Sequence, residues 1–134
     1  MGSAQSAPAA PMILLDTNAL IWLQGNHPRS RPLTASAGRL YVSPASFLEI
    51  QFLLEAGRIR LRRGATVEDL AEDARWLVDD PPAASWFARA LGLGWTRDPF
   101  DRLLAAHASL RGWRLATADE ELLRRLGGAA CLEL

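Results

Sequence analysis

Short apolar runs alternate along the chain with longer segments in which apolar residues recur at helical spacing. Four of the runs are too short for helices and predict strands: 12–16, 39–44, 112–117 and 129–134. Capping residues, prolines and glycines bound six predicted helices: 17–25, 44–57, 66–80, 83–94, 99–111 and 118–128. Strands that alternate with helices predict an α/β domain with a short, mostly parallel central sheet.

The composition predicts how the chain is organised and where the protein is located. Residues 1–11 are small, polar and proline-containing, which predicts a disordered tail or an expression remnant before a single domain at 12–134. No apolar run reaches the ~18 residues of a membrane span, so we expect no membrane association. The lone Cys131 excludes a disulfide framework and fits a reducing cytoplasm.

Charge narrows the classes of partner. The formal net charge is zero, so no overall field draws the protein onto nucleic acid, and any such contact needs a local patch. All basic residues are arginines, four of which cluster between 58 and 63. That cluster is either a solvated connection or a contact for phosphate.

Two aspartates follow predicted strands. Asp16 ends the first strand and Asp119 follows the third. Ligands of open parallel sheets lie beyond the carboxyl ends of strands, where these residues fall. The alternative for Asp16 is a helix cap. For Asp119 it is compensation of a helix dipole, since Thr117 and Glu120 have the spacing of a capping box.

A third acid lies on an apolar helix face. Glu49 falls into the stripe formed by Ala45, Leu48 and Phe52, which predicts that its carboxylate is near the core. A carboxylate there is costly unless it is paired or binds a cation. A rotated helix that lets Glu49 reach water, or a buried arginine partner, would explain it equally well.

The segment "RDPFDRLL" contains two more acids. Asp98, Pro99 and Asp101 fit the N-cap, N1 and N3 positions of a helix. Capping explains Asp98 fully but Asp101 only in part, because N3 favours Glu or Gln. Together the acids predict one cluster at a sheet edge, and an all-oxygen cluster of this kind suits Mg²⁺ or Mn²⁺.

The motifs "LLDTNALIW", "YVSPASFLEIQFLLEAGRI", "RDPFDRLLAAHA" and "LATADEEL" resemble PIN-domain ribonucleases in order and spacing, most closely the VapC toxins of type II toxin–antitoxin systems. The resemblance covers nearly all of 12–134 and implies a PIN-like three-layer α/β/α nuclease domain. It implies an acidic quartet that is catalytic and binds metal: Asp16, Glu49, Asp101 and Asp119. It also implies supporting roles near the metal for Thr17, Asn18, Asp98 and Thr117.

The resemblance further implies a metal-dependent endoribonuclease that acts as a toxin. Its expected partners are RNA (transfer RNA in many similar toxins), a VapB-type antitoxin with a segment that crosses the acidic pocket, and a second copy in a homodimer. Candidate RNA-binding residues are Arg58, Arg60, Arg97 and Arg102. Two other functions stay open: a non-catalytic interaction protein with the same fold, and an unrelated Mg²⁺-dependent phosphohydrolase.

Overall fold

One parallel sheet of five strands organises the molecule. The computed structural model describes residues 11–35 and 38–134, so the predicted tail at 1–11 lies outside it except for Pro11. The strands are β1 (Met12–Leu15), β2 (Arg39–Val42), β3 (Leu77–Val78), β4 (Arg114–Thr117) and β5 (Cys131–Glu133). Their order is β3-β2-β1-β4-β5, and every neighbouring pair is parallel. The carboxyl end of β1 therefore lies between those of β2 and β4.

Helices cover both faces of this sheet. They are α1 (Thr17–Gln24), α2 (Arg31–Ala35), α3 (Pro44–Glu55), α4 (Val67–Glu72), α5 (Ala83–Leu91), α6 (Pro99–Arg111) and α7 (Glu120–Leu126). Within the described ranges, none of them is long and apolar enough to cross a membrane. The result is the α/β/α arrangement that the alternating pattern predicts.

The central strand explains why the core has two halves. Ile13 and Leu15 of β1 are buried in a cluster with residues of α1, α3 and α4. Leu14 points to the other face and is buried against α6 and α7. A strand that is apolar on both faces needs a layer on each side, which is why β1 reads as a continuous apolar run.

The predicted helix at 66–80 is wrong in its second half. Helix α4 ends at Glu72, and the chain then turns and forms the edge strand β3 beside β2, with Leu77 opposite Tyr41. Asp73 makes the turn by accepting a hydrogen bond from the Arg75 amide. The helical spacing misled because pairing with β2, a tertiary contact, overrides a local preference.

The predicted apolar stripe of α3 is also wrong. Leu48 and Phe52 are each 53% exposed, so they do not enter the core beside Glu49. Helix α3 packs against α1, α4 and α6, and these neighbours select a different face. The fully buried side chains of this helix are Ala45, Ser46 and Ile50.

A hydrogen-bonded cluster around a buried histidine ties α6 to the end of the edge strand. His107 is fully buried, and its Nε2 lies 2.7 Å from Oδ2 of Asp79, the residue directly after β3. Arg111, one turn further along α6, donates to both Asp79 oxygens. Burial lowers the pKa of His107, so its neutral ring donates from Nε2. His107 therefore has a structural role.

This cluster generates a stability prediction. Asp79→Ala removes the only acceptor of the buried His107 Nε2–H in the described chain and frees Arg111, so we expect the free energy of unfolding to fall by about 1–3 kcal/mol. Urea denaturation measures it. The neighbouring, exposed Asp80 serves as control, because Asp80→Ala removes no side-chain bond and is expected to cost less than about 0.5 kcal/mol. Equal losses in both variants would contradict the cluster's structural role.

Candidate active site

A small pocket opens where the carboxyl ends of β1, β2 and β4 meet. Each of these strands is followed directly by a helix, so the pocket is built from strand ends and first helical turns. Its lining is dominated by polar and acidic side chains: Asp16, Thr17, Asn18, Glu49, Asp101, Leu104, Asp119 and Leu122. All four members of the predicted quartet therefore line one pocket.

Asp16 occupies the deepest position. It follows β1, its backbone N–H donates to the Ala116 carbonyl of β4 (3.0 Å), and its Oδ1 accepts from the Ala19 N–H (2.7 Å). The side chain thus caps α1, as the simpler explanation holds. It is only 5% exposed, and this burial raises the pKa of Asp16 to about 6, against hydrogen bonds from Thr117 and Ala19 that lower it.

Glu49 reaches the pocket from the second turn of α3. The side chain is half-buried, and the Thr17 hydroxyl donates to its Oε1. Burial raises the pKa of Glu49, the Thr17 hydrogen bond opposes this, and the nearby charges of Asp98 and Asp16 raise it further. No arginine forms an ion pair with Glu49 in the described chain, so the buried-pair explanation does not apply.

Asp98 and Asp101 do different things. Oδ1 of Asp98 accepts from the N–H groups of Phe100 (2.8 Å) and Asp101 (3.2 Å), so Asp98 is the N-cap of α6. The Asp101 carboxylate receives no hydrogen bond from any residue in the described ranges. Burial and then four neighbouring carboxylates, with Asp98 first, raise the pKa of Asp101 to about 7. Helix capping accounts for the first aspartate and leaves the second unexplained.

Asp119 corrects the predicted capping box. Asp119, not Thr117, is the N-cap of α7, and its Oδ1 accepts from the Leu122 N–H (2.9 Å). The buried Thr117 instead accepts from the Asp119 N–H (3.0 Å) and hydrogen-bonds Asp16. Glu120 is the first residue of the helix. The prediction failed because the turn after β4 starts α7 two residues later than the spacing indicated.

The pocket has an uncompensated negative charge. Among the described residues, the salt bridges involve Asp73, Asp79 and Glu121, and none involves a carboxylate of the pocket. A hard divalent cation is the group that such oxygens fit, and Mg²⁺ commonly keeps several of its waters. In the described ranges, no three acidic, histidine or cysteine side chains are already placed to hold a bare ion.

The candidate arginines divide into two groups. Arg97 is exposed beside Asp98, and Arg102 donates from Nε to the Thr96 carbonyl (2.8 Å), which holds the turn before α6. Arg58 and Arg60 lie past the end of α3. The end of α3 itself is about 9 Å from Glu49 at about 1.5 Å per helical residue. Arg97 and Arg102 flank the two aspartates at the start of α6 in the sequence, and Arg102 lines an apolar pocket with Phe87 and Leu91.

Sequence reasoning missed Ser46 as a site residue. It is fully buried on α3, and its hydroxyl lies 3.1 Å from the Thr17 hydroxyl. The available signal was its position three residues before Glu49, which places both side chains on neighbouring parts of one helix face.

The crowding generates a prediction about the metal-free protein. An acid whose pKa is higher in the folded than in the unfolded state destabilises the folded protein as the pH rises. For Asp101 this loss of stability falls between about pH 4 and pH 7. We expect Asp101→Asn to raise the Tm at pH 8 in chelator and to leave it near wild type at pH 4, where the wild-type carboxyl is already protonated. Calorimetric scans at both pH values measure this, with the exposed Asp80→Asn as control. The same Tm shift at both pH values would contradict the charge cluster.

Known proteins resemble this chain along most of its length. The family model described as PIN domain matches residues 13–128. Ribonuclease VapC22 of Mycobacterium tuberculosis is 34% identical over 117 residues, covering 82% of this chain and 88% of the relative. The tRNA(fMet)-specific endonuclease VapC of Shigella flexneri is 27% identical, covering 86% and 92%.

A solved structure supports the fold independently of close sequence similarity. The toxin–antitoxin complex from Klebsiella pneumoniae contains a chain that superposes with a TM-score of 0.65 at 16% identity, covering 91% of this chain and 99% of that one. With a family model over most of its length and a relative at 34% identity, this chain belongs to the PIN domain family.

Proposed function

We propose that this protein is a metal-dependent endoribonuclease and the toxin of a toxin–antitoxin pair, with its nuclease domain at 12–134. The observation that carries the proposal is the convergence of Asp16, Glu49 and Asp101, all with raised pKa values and no basic partner in the described chain, on the pocket that Asp119 also lines. Clustered carboxylates repel a phosphodiester, so this pocket would not accept the RNA backbone until a cation is bound. The two VapC relatives are a ribonuclease and a tRNA-specific endonuclease.

The proposed ligands are the four carboxylates, with Mg²⁺ or Mn²⁺ as the ion. All available donors are oxygens, and the described pocket has neither the thiolate nor the imidazole that zinc favours. When bound, the ion supplies charge stabilisation for the phosphoryl group and activates water for in-line attack. Asp16 is held rigidly by its cap, so it fixes the position of the ion, while Asp101 contributes the carboxylate that has no other partner.

Positioning of RNA falls to the pocket rim. Arg97 is exposed beside the N-terminus of α6, and Arg102 steadies the same turn through Thr96. A guanidinium there suits the phosphate adjoining the scissile one. Arg58 and Arg60, beyond the other end of α3, would contact a more distant part of the strand. Thr17 and Thr117 hold carboxylates, and the exposed Asn18 is a further polar group at the mouth.

A cytoplasmic location follows from an RNA substrate and is consistent with the single, buried Cys131 thiol.

The two alternative functions make different predictions. A non-catalytic PIN protein binds its partner without cleaving RNA, and a phosphohydrolase cleaves phosphomonoesters. Assays of RNA and of a phosphomonoester, each with and without chelator, separate the three functions.

Two assemblies are proposed. The exposed apolar side chains Phe87 and Leu91 of α5 line an apolar pocket with Pro99 and Leu103 of α6, and this surface is suited to a second copy. The Klebsiella pneumoniae structure is a toxin–antitoxin complex. We propose a VapB-type antitoxin for this chain too, with a segment that crosses the acidic pocket and an arginine that pairs with the carboxylates and excludes the ion.

The first prediction here separates the two aspartates of α6. Asp101→Asn keeps the shape but removes a ligand charge, so we expect Mg²⁺-dependent RNA cleavage to fall by on the order of 100-fold or more. Asp98→Asn keeps a good N-cap, and we expect a rate within roughly a factor of ten of wild type. Gel assays of purified, antitoxin-free protein measure both. Wild-type cleavage by Asp101→Asn would refute the proposed mechanism.

The second prediction concerns the homodimer. Leu91 is 79% exposed, and Leu91→Glu places a charge in the proposed interface, so we expect a dimer of the wild type to become a monomer. Light scattering coupled to size-exclusion chromatography measures the mass. Leu77→Glu, on the 58% exposed Leu77 of the edge strand, is the matched control and should leave the dimer intact. A monomeric wild type at high concentration would refute this assembly.

A further inference from the structure

Two hydroxyl groups stand in line behind the Glu49 carboxylate. The Thr17 hydroxyl, at the start of α1, hydrogen-bonds Oε1 of Glu49. The same Thr17 oxygen lies 3.1 Å from the hydroxyl of Ser46, in the first turn of α3. Ser46 is 0% and Thr17 is 5% exposed, so water has little access to either group. The chain Ser46–Thr17–Glu49 therefore joins α1 to α3 at the wall of the pocket.

The number of protons sets the direction of this chain. An ionised carboxylate only accepts hydrogen bonds, and each hydroxyl has a single proton to donate. Thr17 must therefore donate to Glu49, which leaves the Thr17 oxygen as an acceptor. Ser46 is the hydroxyl placed to donate to it. Without Ser46, the Thr17 oxygen would lose this donor, and the orientation of the Thr17 hydroxyl would be less well fixed.

We propose that Ser46 is a positioning residue for divalent-metal binding, which acts through Thr17 to hold Glu49 in its metal-binding orientation; this inference rests on the proposed function. Oε1 is engaged by Thr17, and no described residue donates to Oε2. The second oxygen is thereby left for the pocket. A half-buried glutamate otherwise samples several rotamers, and ordering it in advance strengthens metal binding.

The surroundings of Ser46 separate this role from a merely structural one. Its backbone N–H donates to the Ser43 carbonyl, and Ser43 caps the helix, so α3 starts without help from the Ser46 side chain. Alanine is a better helix former than serine, so Ser46→Ala is not expected to break the helix. A buried hydroxyl costs free energy unless it is hydrogen-bonded. The one polar partner of the Ser46 hydroxyl in the described chain is Thr17.

The test is Mn²⁺ binding by the full chain, followed through the electron paramagnetic resonance signal of free Mn²⁺ and without any RNA. The variants are Ser46→Ala, Thr17→Val and the double variant, with Ser46→Thr to restore the hydroxyl. We expect each single loss to weaken Mn²⁺ affinity about tenfold, as loss of an outer hydrogen bond does at metal sites. The double variant should be no weaker than Thr17→Val alone, and Ser46→Thr should stay within about threefold of wild type.

The matched control is Ser30→Ala. Ser30 is also buried, and its hydroxyl donates to the His27 carbonyl, away from the pocket. Its loss should leave Mn²⁺ affinity unchanged, and circular dichroism shows whether each variant is folded. If Ser46→Ala does not fold, Ser46→Cys, which keeps the size of the side chain and weakens its donor, tests the same group by the same affinity measurement.

The outcomes separate the two proposals. Wild-type affinity in Ser46→Ala, or an additive loss in the double variant, overturns the positioning role and leaves the metal site standing. If wild type binds no Mn²⁺, or binds it no better than Asp101→Asn does, the metal assignment fails and takes the positioning role with it.

Discussion

Mutual repulsion of carboxylates in a partly buried pocket is the constraint on which the rest of the site depends. Burial removes water from Asp16, Glu49 and Asp101 and is the first cause of their raised pKa values. Neighbouring carboxylates add to it, with Asp119 acting on Asp16, and Asp98 acting first on both Glu49 and Asp101. The chain has as many arginines as acids, yet in the described ranges no arginine pairs with a pocket carboxylate. A protein that placed these groups for stability alone would have paired them. The proposed cation would relieve this repulsion, so metal binding would offset the stability that the metal-free state loses.

Helix N-termini reduce the electrostatic cost of placing carboxylates in and around the pocket. Asp16, Asp98 and Asp119 each accept backbone N–H groups at the start of a helix, where the peptide dipoles favour negative charge. Capping and metal binding are thus compatible roles of one side chain, because a carboxylate has two oxygens and a cap uses one. Asp101 has no such bond within the described ranges, and its pKa of about 7 is higher than the value of about 6 for Asp16. The contrast explains why the start of α6 can contain both Asp98, which caps the helix, and Asp101, which is proposed to bind the ion.

The fold supports this arrangement from outside the pocket. Helix α6 carries Asp101 near its N-terminus, and its other end is tied to the edge strand by His107, Arg111 and Asp79. Gly112 then ends the helix with φ of 71°, a left-handed conformation that favours glycine, and leads into β4. The Trp86 indole donates to the Leu103 carbonyl and fixes α5 against α6. Rigid support matters because metal affinity depends on placing ligands to a fraction of an ångström.

Some features of this protein were determined by local sequence. The apolar run before Asp16 predicted a strand buried on both faces, and Asp98-Pro99 predicted a helix start, because these preferences act over a few residues. Strand ends of a parallel sheet share an edge, so the meeting of Asp16, Glu49, Asp101 and Asp119 was predictable without coordinates. Three features were decided by tertiary contacts. Leu48 and Phe52 face solvent and Ser46 faces the core because α1, α4 and α6 choose the buried side of α3. The strand β3 exists because β2 offers an edge to pair with. Asp119 rather than Thr117 caps α7, since the geometry of the turn after β4 sets where that helix begins. The first two depend on partners distant in the chain and the third on the geometry of a turn, and periodicity and capping spacing take account of neither.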